Sequence, residues 1–252
     1  MATPATLNGS ADHPAGDGEP LLSILVPVRN EHAHLGVAIR MLTAIVEVPF
    51  ELLVIHDEVD DTTVPVANAL RERFPQMRVI HNTSGRGVLR AIRSGIAAAR
   101  SSRLLVCSVD EPIPFMSIPS MLYLMDEGCE FVSVTRYAAG GRRIGGTRIG
   151  GFLSRLANRL LCLGSASRLS DATTGMKMFT KAGFERLELS TEASGWSCAL
   201  EMGIKAQLKD LALGEVPVIS VDRLLGGEST FRIGPEFFRY LHWFLWGAPK
   251  LW

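Results

Sequence analysis

Ser108-Val109-Asp110-Glu111 closes an apolar run that begins at Arg103, and Pro112 and Pro114 follow at once. Two adjacent carboxylates at such a point are hard oxygen donors, suited to a Mg2+ or Mn2+ ion that carries phosphates. A lone Asp before a proline also serves simply to cap a turn, so the pair gains meaning only beside the other charged clusters. Upstream, His56-Asp57-Glu58-Val59-Asp60-Asp61 is an acidic turn, in which Asp57 and Asp61 either accept hydrogen bonds from a ligand or are solvated near a helix N-terminus. Downstream, seven arginines (Arg136, Arg142, Arg143, Arg148, Arg155, Arg159 and Arg168) lie between Phe131 and Ser170 with no acidic residue among them. Forked guanidinium groups suit phosphate oxygens. Arg142 and Arg143 stand in Ala138 to Gly146, where four glycines predict a mobile loop that closes over phosphate. Arg223 and Arg232 flank a second basic loop, Gly226-Gly227-Glu228-Ser229.

The elements that must position these groups alternate. Leu21 to Val28 reads as a strand, and Asn30-Glu31 opens a helix with the apolar stripe Leu35, Ile39 and Leu42. Glu51 to Ile55 is a second strand; Thr62 or Thr63 then caps a helix running to Phe74. Met77 to Ile80 is a third strand, and Gly85-Arg86-Gly87 leads into a helix ending near Arg100. The run from Arg103, with no alternation, is a strand buried on both faces. Four strands separated by three helices predict a mostly parallel, doubly wound α/β sheet, in which ligands bind beyond the carboxyl ends of the strands. That places Asp110 and Glu111 at the mouth of a site. Ile149, Phe152, Leu153, Leu156, Leu160 and Leu163 then share one helical face, with Arg148, Arg155 and Arg159 on another.

Composition excludes several classes. The 252 residues carry 26 Lys plus Arg and 26 Asp plus Glu, so no net charge argues for nucleic acid. The four cysteines (Cys107, Cys129, Cys162 and Cys198) lie far apart, the usage of reduced, buried thiols in a cytosolic protein rather than a secreted one. Residues 1–20 read as a disordered leader without the apolar core of a signal peptide, and no stretch of eighteen apolar residues exists. Gly85-Arg86-Gly87-Val88-Leu89-Arg90 has Arg where the dinucleotide fingerprint needs Gly, and there is no Gly-Lys-Ser/Thr phosphate loop. His32, His34, His56, His81 and His242 have no metal-ligand spacing, and His13 lies in the leader.

An ordered series of segments resembles glycosyltransferase family two, closest to its dolichol-phosphate mannose synthase (polyprenyl-phosphate glycosyltransferase) branch. Ser23-Ile-Leu-Val-Pro-Val-Arg-Asn-Glu31 is similar to the family's first strand and turn. Leu52 to Thr63 is similar to its second strand and acidic turn, Gly85 to Arg100 to its Gly-rich helix, and Ser108-Val-Asp110 falls where the family carries Asp-x-Asp. Phe131 to Tyr137, Ser170 to Phe179, Trp196 to Val218 with Glu215-Val-Pro217, and Arg223 to Thr230 continue the order to about Arg232. Three departures stand out: Ser108 replaces the first Asp of Asp-x-Asp, His56 replaces the first Asp of the earlier pair, and Thr230 stands where the branch often has Lys. A hydroxyl is a weaker ligand than a carboxylate, which puts metal dependence in question more than the fold.

The resemblance implies a GT-A fold: a Rossmann-like nucleotide-sugar half over about 21–115, an acceptor half over about 116–232, and an amphipathic C-terminal helix over 233–252. It implies nucleotide-sugar contacts from Pro27, Arg29, Asn30, Glu31, Asp57, Asp61, Gly87, Ser108, Val109 and Asp110. A Mg2+ or Mn2+ ion would sit at Asp110, with Glu111 in place of the lost carboxylate. Catalytic roles fall to Asp110, Arg136 and Asp171, and acceptor or diphosphate contacts to Arg136, Arg142, Arg143, Arg223, Ser229 and Arg232. The expected activity is inverting transfer from a UDP- or GDP-sugar to a polyprenyl phosphate, in cell-envelope glycan or glycolipid synthesis. A saccharide hydroxyl is the alternative acceptor, for which Asp171 and then Glu201 are the candidate bases. A catalytically silent nucleotide-sugar-binding protein is the other alternative, suggested by Ser108. In the C-terminal helix, from Pro235 to Pro249, Phe237, Phe238, Leu241, Phe244 and Leu245 share the face expected to be buried. Tyr240, Trp243 and Trp246, with Arg239 and Lys250, are left for a membrane surface, which predicts a peripheral protein at the cytoplasmic face. Packing of this helix inside the domain, or against a second copy in a homo-oligomer, is the competing expectation.

Overall fold

The computed structural model describes residues 18–145, 148–162, 168–190, 195–221 and 233–251, without the side chains of 148–150 and 233–236. Its first half follows the expected alternation: β1 (Leu22–Val28), α1 (His32–Ile45), β2 (Phe50–His56), α2 (Thr63–Arg71), β3 (Met77–His81), α3 (Val88–Ala98) and β4 (Arg103–Val106). A 3-10 turn (Ile113–Ser117) leads into α4 (Ile118–Asp126), β5 (Phe131–Thr135), β6 (Arg142–Ile144), α5 (Arg148–Cys162) and β7 (Lys177–Thr180). The chain continues through α6 (Lys181–Arg186), α7 (Ser197–Leu208), β8 (Leu213–Pro217), β9 (Ile219–Val221) and α8 (Ile233–Leu251).

Seven strands form one sheet in the order β3-β2-β1-β4-β7-β5-β8. All pairs are parallel except those that β7 makes with β4 and β5. Alternate side chains of β1 enter the two cores: Leu22, Ile24, Val26 and Val28 meet Leu35, Ile39 and Leu42 of α1, while Leu25 joins Ile92 and Ile96 of α3. Helices on both faces explain why the strands read as unbroken apolar runs. Gly95 lets α3 lie close on the sheet, because a Cβ there would stand 2.5 Å from Ile55 Cδ1.

Several local expectations need correction. Thr62 makes no side-chain cap for α2; Asp61 does the work, its Oδ1 accepting from Thr63 N at 2.8 Å. The Gly-rich stretch read as a mobile loop contains β6, which pairs in parallel with β9, Arg142 against Ile219 and Ile144 against Val221. Cys107 and Cys198 are buried, but Cys129 is half-buried and Cys162 exposed.

The C-terminal helix turns most of its expected buried face outward, with Phe244 alone of that group packed against the core. Trp243 is 7% exposed and packs toward α7, where Gly247 approaches Ile204, whereas Phe238 and Leu245 are 69% and 61% exposed. Pro249 does not end the helix but lies inside its last turn. Most of the residues of the leader and all of the loop carrying Arg223, Ser229 and Arg232 lie outside the described residues.

Candidate active site

The carboxyl ends of β1, β2 and β4 lie side by side, with Val28 against His56 and Leu25 against Val106. From β1 the chain steps to β2 and β3 on one side and to β4 on the other. The strand order therefore reverses between β1 and β4, where open α/β sheets leave a crevice. A cleft of about 360 Å³ occupies this position. A larger, more open hollow lined by Arg71, Glu72 and Arg78 lies at the amino end of β3, away from these strand ends.

Of the expected nucleotide-sugar residues, Pro27, Arg29, Glu31, Asp57, Gly87, Ser108, Val109 and Asp110 line the cleft together. Asp57 is fixed by its neighbours: Oδ2 accepts from Gly87 N at 2.9 Å and Oδ1 from Asn82 Nδ2 at 2.7 Å. Asn82, which the sequence did not single out, is 2% exposed and also donates to Gly85 O at 2.8 Å. Gly87, with φ of 130°, adopts a backbone that side-chain-bearing residues rarely reach, and this presents its N–H to Asp57 at the start of α3.

Asn30 and Asp61 are not in the lining among the described residues. Asp61 is buried and accepts from Asn30 N at 3.0 Å, while Thr62 N donates to Asn30 Oδ1 at 3.2 Å. Glu31 N donates to Thr63 Oγ1 at 2.8 Å. These bonds staple the turn after β1 to the turn before α2, so Asn30 and Asp61 shape the cleft from behind it.

Residues assigned no donor role from the sequence complete the lining, Glu58, Arg86, Gly195, Trp196 and Arg239 among them; Arg239 was expected at a membrane surface instead. Glu58 pairs with both Arg29, at 3.8 Å, and Arg86. Trp196 stands immediately before α7, and Arg239 comes from α8, so the C-terminal helix is part of the cleft rather than an appendage.

A second polar cluster surrounds Arg136 and Asp171. The guanidinium meets the carboxylate through Nε–Oδ2 at 2.7 Å and Nη2–Oδ1 at 3.1 Å, and Arg136 N also donates to Oδ2 at 3.2 Å. Oδ1 accepts further from Asn158 Nδ2 at 3.2 Å and Thr173 Oγ1 at 2.8 Å. Asp171 N donates in turn to Glu215 Oε1 at 3.2 Å, and Ser170 Oγ to Glu215 Oε2 at 2.8 Å. Burial alone would raise the pKa of Asp171, but Arg136 and Thr173 outweigh it and hold the carboxyl below its usual range. Burial likewise opposes the charge of Arg136, and Asp171 overcomes it, raising the guanidinium above its usual value.

The two carboxylates expected as bases both lie in buried ion pairs. Asp171 is fully buried, ionised and saturated with donors, so it anchors Arg136 and is a poor proton acceptor. Glu201 is fully buried too, pairing with Lys205 at 2.8 Å and accepting from Ser190 N at 2.6 Å, and neither carboxylate lines the cleft.

Among the described residues no three His, Cys, Asp or Glu side chains gather as a metal cluster. Glu111 is drawn aside: its Oε2 accepts from Ser220 Oγ of β9 at 3.3 Å, and it is absent from the lining. Asp110, with the Ser108 hydroxyl two residues away, fits a cation of the Mg2+ type, which takes one or two carboxylates and completes its shell with phosphate oxygens and water. Arg142 is exposed on β6 and Arg143 half-buried beside it.

Comparison with known proteins agrees with this geometry. Residues 23–187 match Glycosyl transferase family 2. A dolichol-phosphate mannosyltransferase of Mycosarcoma maydis is 26% identical over 229 residues, spanning 88% of this chain and 77% of that protein. The low-salt glycan biosynthesis hexosyltransferase Agl6 of Haloferax volcanii is 24% identical over 246 residues; the match spans 92% of this chain but only 55% of Agl6. Glucosyl-3-phosphoglycerate synthase from Mycobacterium tuberculosis, crystallised with Mn2+, UDP and glucosyl-3-phosphoglycerate, superposes with a TM-score of 0.68 at 18% identity. That superposition covers 91% of this chain and 80% of the synthase, and shares the fold.

Proposed function

Because the chain belongs to glycosyl transferase family 2, we propose that it transfers a sugar, with inversion, from a nucleotide-diphosphate sugar to a polyprenyl phosphate. The observation that carries the choice of acceptor is the burial of both candidate bases, Asp171 against Arg136 and Glu201 against Lys205. A saccharide hydroxyl must lose a proton as it attacks, and both of these carboxylates are buried outside the cleft lining. A phosphate monoester is already ionised at neutral pH. Its oxygen attacks the anomeric carbon, the bond from that carbon to the diphosphate oxygen breaks, and the nucleoside diphosphate leaves with the electron pair.

The residues divide this work. Asp57, fixed by Gly87 N and Asn82, accepts from the base or ribose, and the turn from Pro27 to Glu31 borders the same part of the cleft. Asp110 and Ser108 would hold Mg2+ or Mn2+, which when bound supplies positive charge to the departing diphosphate. Arg136, locked by Asp171, offers a positioned cation for a phosphate group, with Arg142 and Arg143 on the neighbouring β6. Arg223, Ser229 and Arg232 are assigned to the same anion-binding role from the sequence alone.

An acceptor embedded in a bilayer calls for a protein that meets the bilayer. Among the described residues no helix is long and apolar enough to cross a membrane. Phe237, Phe238, Leu241 and Leu245 of α8 are exposed, as are Phe152 and Leu156 of the neighbouring α5. This apolar surface, in a chain whose stretch from Phe131 to Ser170 carries seven arginines and no acidic residue, supports seating on anionic lipid. The donor half of the proposal is tested by thermal unfolding with UDP- and GDP-sugars plus Mn2+. A ligand at about 100 times its Kd is expected to add about 2.7 kcal/mol of stability, and no shift with any of them contradicts the reading.

A further inference from the structure

Trp196 is the one aromatic side chain lining the cleft among the described residues, and no part of the donor has been assigned to it. Its indole is held from behind. A Cβ on Gly175 would stand 3.0 Å from both Cε3 and Cζ3, so the six-membered ring lies against the bare backbone of Gly175 while Trp196 also borders the cleft. Gly195, with φ of 64°, turns the chain into this position, and Trp196 O accepts from Ala199 N at 3.0 Å as α7 begins. The ring is therefore anchored at a helix start rather than carried on a free loop.

The remaining lining is divided by chemistry. Asp57 and Glu58 after β2, with Arg86 and Gly87 before α3, are polar groups suited to a nucleoside, and Asp110 beyond β4 is suited to a diphosphate with its cation. On the side of α7 and α8 the lining is Gly195, the flat half-buried indole of Trp196, and Arg239. A pyranose presents one face of C–H bonds, which an aromatic ring attracts through the negative charge on its own face. Small-ligand sites commonly combine such an apolar surface with a few polar groups.

We propose that Trp196 is the platform for the transferred sugar, and so a specificity-determining residue of the donor site. The inference rests on the nucleotide-sugar reading above. Stacking on the indole selects a sugar by the run of C–H bonds it can lay flat, and leaves its hydroxyls to the polar neighbours.

Calorimetry with four probes, UDP, GDP, UDP-glucose and GDP-mannose in the presence of Mn2+, tests it on the full chain. In Trp196→Leu the affinity for the nucleotide sugar that wild type binds is expected to fall about fivefold or more, while that for the matching nucleoside diphosphate stays within about twofold. Trp196→Tyr, which keeps a ring, is expected to retain most of the sugar affinity. If Trp196→Leu does not fold, Trp196→Met fills the gap with a flexible apolar chain and is held to the same expectation. Equal losses for nucleoside diphosphate and nucleotide sugar would make Trp196 a base-stacking or structural residue and overturn the proposal. Unchanged sugar affinity overturns it as well. A wild-type protein that binds the diphosphates but neither nucleotide sugar overturns the platform alone, whereas one that binds none of the four overturns the donor reading with it.

Discussion

Arg136 and Asp171 form a two-pronged ion pair, Nε–Oδ2 at 2.7 Å and Nη2–Oδ1 at 3.1 Å, in which the carboxylate is fully buried and the guanidinium side chain is 13% exposed. Such a pair is costly to break from one side, because the remaining charge stays buried without compensation. Asp171→Asn is expected to lower stability by about 3 kcal/mol or more in urea unfolding. A change below about 0.5 kcal/mol, the usual range for surface substitutions, would remove Asp171 from the role of anchor.

The pH dependence of stability follows from three buried groups. Asp171 and Glu51 both have pKa values held below their usual ones; burial opposes this, but Arg136 acts on Asp171, and Arg100, Ser23 and Arg78 on Glu51. Their contributions are complete above the unfolded values of 3.8 and 4.5 and are lost as pH falls through the lower folded values. Stability is thus expected to drop below about pH 4.5, and Glu51→Gln to flatten part of that drop.

Lys177 has the opposite sign. It is fully buried, donates to Ser133 Oγ at 3.0 Å, and burial pushes it from 10.5 down to about 8 despite Asp171 and Glu215 nearby. Between those values the unfolded chain binds more protons than the folded one, so this group makes stability rise with pH across the interval and stay level below it. Lys177→Met is expected to abolish the rise; an unchanged alkaline limb in chemical denaturation would contradict the assignment.

The first half of the fold was legible because strands buried on both faces read as continuous apolar runs, and α1 and α3 carry apolar residues three and four apart. The charged turns at the ends of β1, β2 and β4 were legible for the same reason, since each interrupts such a run. What escaped depends on contacts between distant segments. Asp61 reads as a ligand residue, but it is buried outside the cleft lining, its Oδ1 accepting from both Asn30 N and Thr63 N. Arg142 to Ile144 looks like loop because its partner strand, Ile219–Val221, lies far along the chain. The spacing of α8 grouped Phe237, Phe238, Leu241, Phe244 and Leu245; the structure exposes all but Phe244, which packs against the core, and period alone cannot say which of two apolar faces meets α7. The Gly247 contact with Ile204 and the burial of Trp243 decide it.

The exposed face of α8 puts Phe238 and Leu245, rather than Trp243, where they would meet lipid. Phe238→Ser combined with Leu245→Ser is expected to release the protein from anionic liposomes in a sedimentation assay, with little effect on its unfolding temperature. Trp243→Ser, by contrast, is expected to destabilise by about 3 kcal/mol, as for other large core truncations. Equal sedimentation of wild type and the Phe238/Leu245 double variant would remove α8 from the lipid surface.

Ser108 leaves Asp110 as the carboxylate of the cleft at the end of β4, with Glu111 turned toward Ser220. Ser108→Asp adds a second hard ligand and is expected to tighten Mn2+ binding by about tenfold or more in calorimetry. Unchanged or weaker binding would show that the ion, if used, is held elsewhere.

The proposed reaction is transfer from a nucleotide sugar to a lipid phosphate through the cleft at Asp110. It is tested most directly with radiolabelled UDP- and GDP-sugars, Mn2+ or Mg2+, and either a polyprenyl phosphate or the matching polyprenol. Wild type is expected to move label into the organic phase with the phosphate and not with the alcohol, and Asp110→Asn to lose that activity by about 100-fold or more while unfolding at the same temperature. Label incorporated equally well into the polyprenol, or full activity in Asp110→Asn, would contradict the account.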